Sequence, residues 1–324
     1  MVEKIEPLEP RRLLAGVTLI THGFNGSTGD WVTTMGSAVA LFGGALANQP
    51  RYLMTVTDPG HDGGALSVAS TRLGAAPASW ANADIVVLLD WSDIAGSPFG
   101  GYSRPSADVG AAVAQKLLAA SSIPDLSAPL AELPLHLLGH SRGASAISEI
   151  ARGLGQRGVW VDQLTFFDPH PVDGIREPIF TPNLGDAAMK VFDNVRFADN
   201  YWRTEGNGSF DFTGEAVNGA YNLQLSESVM TGTGYSAEHS DTHLWYHGTI
   251  GSPSGAPPFQ NSDGGASVGG NWYTSPHPSR DATGFLYSRL GEGTRPAAGL
   301  KSSGAFRDSL ALTVSGASVW DNIA

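Results

Sequence analysis

Leu135-His136-Leu137-Leu138-Gly139-His140-Ser141-Arg142-Gly143-Ala144-Ser145 is the stretch whose reading decides the fold. An apolar run enters Gly-His-Ser-Arg-Gly and leaves as a small-residue helix. This is G-x-S-x-G in a strand–turn–helix setting, the context in which that pattern raises a serine hydroxyl above a sheet. The turn strains the serine backbone, so its neighbours must be small. Gly139 and Gly143 lack a Cβ and let strand and helix pass close together. The plain alternative is a Gly-Ser turn without chemistry. A serine hydroxyl is a weak nucleophile, so the chemical reading also requires a base, an acid to orient the base, and oxyanion donors.

Each has a candidate. Val17-Thr18-Leu19-Ile20 reads as a buried strand, and Thr21-His22-Gly23-Phe24-Asn25-Gly26 follows it. A His-Gly turn after an early strand supplies one backbone N–H of an oxyanion hole, here assigned to Phe24; the second is the N–H of Arg142, directly after the nucleophile. His22 is read as a brace for this loop. The acid candidate is Asp168, at the C-terminal end of the strand Val161–Phe167, where carboxylates face the crevice of open α/β sheets; Pro169 stiffens the turn after it. The base candidate is His239, on the loop before a helix carrying Leu244, Trp245 and Tyr246, which Ser240 or Asp241 would cap. His243, one turn inside that helix, is the alternative base. His170, His247 and His277 read as hydrogen-bonding or surface histidines.

The order Ser141, Asp168, His239 resembles that of the α/β-hydrolases. An acid directly after the strand that follows the nucleophile helix is similar to the pancreatic-lipase-like arrangement, where a Leu-Asp-Pro carries it; here the residues are Phe167-Asp168-Pro169. Other α/β-hydrolases place the acid one strand later, which would make Asp193 or Asp199 the alternative. Gly-His-Ser-Arg-Gly departs from the lipase-typical Gly-His-Ser-Leu-Gly: Arg142 keeps the backbone donor and changes the local charge. The resemblance implies a serine esterase or lipase working through an acyl-enzyme, without a cofactor, on a small-molecule or lipid ester. The alternatives are amide or thioester hydrolysis, and a non-catalytic extracellular binding module on the same scaffold.

Residues 17–171 alternate strand-like and helix-like runs, which predicts α/β architecture with a mostly parallel sheet and helices on both faces. Strands are expected at 17–21, 52–57, 84–90, 133–138 and 161–167. Helices are expected after Asp30 (Trp31, Met35, Ala38, Phe42, Leu46 on one face), after Ser106 (Val109, Val113, Leu117) and after Ser141 (Ala144, Ile147, Ala151, Leu154). Trp91, Phe99 and Tyr102, in the loop 91–105, are candidate walls of a substrate pocket. The domain reading is a leader at 1–15 and one α/β-hydrolase domain over 16–324. Within it, 172–235 reads as a lid or insertion, with one strand region at 189–197 and loop at 199–220, and 281–324 reads as a C-terminal extension.

The net charge of −12 argues against nucleic acid and anionic membranes as partners. The absence of cysteine excludes disulfides, thiol catalysis and cysteine-ligated zinc. His239-x3-His243 has the spacing of a zinc pair but lacks the glutamate of H-E-x-x-H sites, and Asp263-Gly264-Gly265 is too short for a calcium loop, so no metal is expected. No run reaches the roughly 20 apolar residues of a membrane helix, and no obligate protein partner is evident. Leu8-Glu9-Pro10-Arg11-Arg12-Leu13-Leu14-Ala15 resembles the LEPRxLL-type motif of bacterial extracellular and cell-surface proteins. It implies that location; a cytoplasmic one is the alternative.

Overall fold

Strands β1 (Val17–Thr21), β4 (Ile85–Asp90) and β5 (Leu135–His140) form the centre of the sheet, and their buried patterns show why. Every residue of β1 and β5 is buried, as is β4 up to its final aspartate, so both faces of the pleat are covered. Alternate residues go to opposite faces. Leu19, Val87, Leu89, Leu135 and Leu137 join one core layer; Ile20, Val86, Leu88 and Leu138 join the other. The computed structural model describes residues 16–29, 31–42, 49–77, 84–98, 100–174, 183–203, 212–230, 234–235, 238–251 and 266–313. The leader, Asp30, Leu46 and Phe99 lie outside these.

The sheet has eight strands, completed by β2 (Arg51–Thr57), β3 (Ser67–Leu73), β6 (Val161–Phe167), β7 (Val195–Trp202) and β8 (Tyr221–Gln224). Their order is β3-β2-β4-β1-β5-β6-β7-β8. All pairings are parallel except β2 with β3, which is antiparallel and forms one edge. Helices α2 (Ser106–Leu118) and α3 (Arg142–Gly155) cover one face through Val109, Val113, Leu117, Ile147 and Ile150. Helices α1 (Trp31–Leu41) and α4 (Asp241–His247) cover the other through Trp31, Met35, Leu244 and Trp245. This is an α/β-hydrolase fold. From β1 the chain passes out to β2 and the edge strand β3, returns to β4 beside β1, and then crosses to β5 on β1's other side. The switch point therefore lies between the C-terminal ends of β1 and β5, where open α/β sheets form their ligand crevice. His22-Gly23-Phe24 and Ser141 emerge there.

Some expectations need correction. Residues Asp199–Trp202 are strand, not loop, because buried polar side chains pair along β7. Asp199 accepts from Thr165 at 2.7 Å and from Tyr201 at 2.8 Å, and Asn200 donates to Asn222 at 2.8 Å. Ser106 does not cap α2: it is the helix's first residue, and its hydroxyl meets Ser145 at 2.7 Å. Neither Ser240 nor Asp241 caps α4; Asp241 instead accepts the Tyr235 N–H at 2.7 Å.

Candidate active site

Ser141 sits between β5 and α3 at φ 55° and ψ −125°, a conformation rare for L residues. Such strain costs about 1–3 kcal/mol and persists where the surroundings over-determine it. Here its N–H donates to Phe167 O at 2.9 Å and its carbonyl accepts the His170 N–H at 3.3 Å. The elbow is thereby laced to the end of β6. The small neighbours follow from close approach. A Cβ on Gly139 would strike the Gly143 carbonyl, and one on Gly143 would strike the His22 carbonyl.

Asp168 leaves β6 at φ 40°, fully buried. Its Oδ2 accepts from His239 Nδ1 at 2.6 Å. Its Oδ1 accepts the Arg203 N–H at 2.8 Å, and the Gly214 N–H also bonds the carboxyl. Burial pushes the carboxyl up to about 7, opposed by the Arg203 and Gly214 N–H groups and by the Arg203 guanidinium. A carboxyl so reluctant to hold charge alone pulls strongly on the imidazole proton. His239 lies in a short 3-10 turn ahead of α4. Its carbonyl accepts from His140 Nε2 at 2.9 Å, and the two rings are 4.5 Å apart. The residue before Ser141 thus holds the loop that carries His239. With Nδ1–H on Asp168, the neutral ring keeps Nε2 as its basic nitrogen.

His243 takes a different place. Its ring stacks on Trp31 at 4.2 Å, edges His140 at 4.7 Å and is almost fully buried. Burial, then the neighbouring His140 and His239, hold its pKa well below the ordinary value. No carboxylate is bonded to it among the described residues. Among the described residues neither Asp193 nor Asp199 is shown hydrogen-bonded to His239; Asp199 bonds Thr165, Gln163 and Tyr201.

Gly23, the residue before the assigned donor Phe24, lies against the elbow that carries the other assigned donor, Arg142. A Cβ on Gly23 would lie 2.8 Å from His140 O, 2.8 Å from Ser141 Cβ and 3.0 Å from Arg142 N, so the chain entering Phe24 runs against the elbow itself. The Arg142 N–H opens α3, where no intrahelical acceptor exists. His22 braces this loop: Nδ1 donates to Gly23 O at 3.0 Å, and Nε2 accepts the Trp91 N–H at 3.2 Å.

Two of the three expected pocket walls lie among the described residues. Trp91 is fully buried, stacked on His22 at 5.6 Å and lying 4.9 Å beneath the Arg142 guanidinium, with its indole N–H donating to Thr21 and to the His22 carbonyl. It braces the loop. Tyr102 stacks on His61 at 4.4 Å and donates to Asp58 at 2.6 Å. Its hydroxyl thus serves the 58–64 loop. Phe212, which sequence reasoning missed, contacts Phe24 at 6.3 Å, His170 at 5.0 Å and His239 at 5.9 Å. Asp186 and Arg203 were missed as well. Neither had a local sequence signal: Asp186 answers the charge of Arg142 and Arg203 serves Asp168, each from a distant segment.

No family model and no curated protein matches this chain. Among solved structures it is similar to a candidate cell surface hydrolase of Lactobacillus plantarum WCFS1, at 13% identity and a TM-score of 0.38, over 65% of this chain and 81% of that one. It is also similar to a gene product of Listeria innocua, at 14% identity and a TM-score of 0.34, over 59% of this chain and 69% of that one. No helix among the described residues is long and apolar enough to cross a membrane.

Proposed function

We propose that the protein is a serine hydrolase that cleaves carboxylic esters. The observation that carries this reading is the 2.6 Å contact from His239 to the buried Asp168, on a loop held by His140 beside a strained Ser141. A binding module has no use for a serine held in a strained turn, nor for an imidazole oriented by a buried carboxylate. In the mechanism, His239 Nε2 takes the Ser141 proton as Oγ attacks the ester carbonyl. Asp168 holds the tautomer and stabilises the imidazolium that forms. The Phe24 and Arg142 N–H groups receive the oxyanion, each worth roughly 10²–10³ in rate. The imidazolium protonates the leaving alcohol, and the same histidine then activates water to release the acid and free Ser141. An extracellular or cell-surface location belongs to the proposal and is carried by the Leu8–Ala15 motif.

The test is hydrolysis of p-nitrophenyl esters of increasing chain length by wild type and Ser141→Ala. The expected result is turnover by wild type, graded by chain length, and loss of at least about 10³-fold in the variant. An Ala variant as fast as wild type overturns the reading.

A further inference from the structure

Arg142 does more than lend its backbone. Its side chain is fully buried directly after the candidate nucleophile. Nε and Nη2 clasp the Asp186 carboxylate at 2.5 and 2.8 Å, Nη1 donates to Ala95 O at 2.8 Å, and Nη2 donates to Arg104 O at 2.5 Å. Asp186, equally buried, also accepts the Ser106 N–H at 2.9 Å and the Val172 N–H at 3.0 Å. Taking both charges out of water costs several kcal/mol per ion, and apolar pairs of similar volume often serve stability as well. The arrangement therefore calls for a role beyond holding the fold.

The contacts suggest one. Ala95, which the guanidinium holds, is followed by Gly96. Gly96 O accepts the Asn25 N–H at 3.2 Å, the residue after Phe24. Gly96 sits at φ +74°, and a Cβ there would lie 3.2 Å from the Phe24 ring. One dipeptide, Ala95-Gly96, is thus bonded on one side to the chain bearing Phe24 and on the other to the side chain of Arg142. Those two residues carry the two assigned oxyanion donors.

We propose that Arg142, clasped by Asp186, is a positioning residue that fixes the gap between the Phe24 and Arg142 N–H groups through the Ala95-Gly96 strut. This rests on the serine hydrolase reading and deepens it. The guanidinium fork is rigid and planar; a lysine keeps the charge but reaches these acceptors as a single point. Misplacing a catalytic group by about 1 Å costs on the order of 10²-fold. The loss belongs in kcat, because an oxyanion hole meets charge that develops only in the transition state.

The experiment compares wild type with Arg142→Lys and with the charge-neutral pair Arg142→Gln plus Asp186→Asn, which leaves no unpaired buried charge. Gly96→Ala perturbs the strut without touching the ion pair. Each is assayed for kcat, KM, the pH profile of kcat/KM, and affinity for an alkyl boronic acid, whose serine adduct presents an anionic tetrahedral centre. The expected result is a fall in kcat of roughly 10- to 100-fold, with KM within about threefold. Boronate affinity should fall by the same factor, and the acid limb of the pH profile should stay in place. Gly96→Ala should show the same signature, smaller. Wild-type kcat in the variants overturns the proposal. So does a loss confined to KM, a shift of the acid limb with boronate affinity kept, or failure of all three to fold, which would make the clasp purely structural. If wild-type Ser141 takes no fluorophosphonate, the serine hydrolase reading fails instead.

Discussion

Asp168→Asn isolates the orienting role of the buried carboxylate. In the wild type, Oδ1 accepts the Arg203 N–H at 2.8 Å, the Gly214 N–H bonds the same carboxyl, and Oδ2 accepts from His239 Nδ1 at 2.6 Å. The amide has two ways to sit. With its oxygen toward the backbone donors, its NH2 faces His239 Nδ1 and donates to it. The imidazole proton then moves to Nε2, which can no longer accept the Ser141 proton. The flipped amide would set NH2 against the buried Arg203 N–H, at about 1–3 kcal/mol. The first arrangement wins, and with it the wrong tautomer. The expected loss is on the order of 10⁴ in kcat, equivalent to about 5.4 kcal/mol of barrier. KM should change little, since Asp168 is buried behind the ring. Steady-state ester hydrolysis, with the rate of fluorophosphonate labelling alongside, measures both. A variant within about tenfold of wild type, with an intact melting transition, would refute the reasoning.

Other outcomes follow from the same geometry. His243→Phe keeps the stack on Trp31 and removes a buried Nδ1 without a hydrogen-bond partner, so ester turnover should stay within about tenfold of wild type, against a loss of roughly 10³ or more for His239→Ala; the reverse pattern would make His243 the base. Gly23→Ala drives a Cβ to 2.8 Å from both His140 O and Ser141 Cβ, and kcat should fall on the order of 10²-fold while far-UV circular dichroism stays native. His136 is buried, with burial the main cause of a pKa lowered to about 3. A depressed folded pKa means that the unfolded chain binds the extra proton below about 6.5, so stability falls as pH falls. From pH 7 to 5 this amounts to about 2 kcal/mol, and His136→Gln should flatten the acid dependence of urea unfolding by that amount; an unchanged slope contradicts it.

The central strands were legible because burial on both faces writes uninterrupted apolar runs, as in Ile85–Leu89. The proposed Ser141, Asp168 and His239 each leave a local mark: a tight small-residue turn, a carboxylate at a strand end, a histidine just before a helix. What escaped were features defined by closure of distant segments. Asp186 meets Arg142 across 44 positions and Arg203 meets Asp168 across 35, and nothing near either residue announces the partner. Trp91 shows the limit of reading loop aromatics, since an aromatic beyond a strand end looks the same whether it faces a cleft or lies beneath His22 and Arg142. Asp199 and Asn200 read as loop because sequence polarity cannot reveal that Thr165 and Asn222 await them on neighbouring strands.

The central claim is that one serine, strained at the switch point of the sheet, is the nucleophile. Peptide mass spectrometry after treatment with a fluorophosphonate tests it most directly. The account predicts a single stoichiometric adduct on Ser141, formed as esterase activity disappears and slowed by roughly 10³-fold or more in His239→Ala. An adduct on another residue, or full activity with Ser141 unmodified, would contradict it.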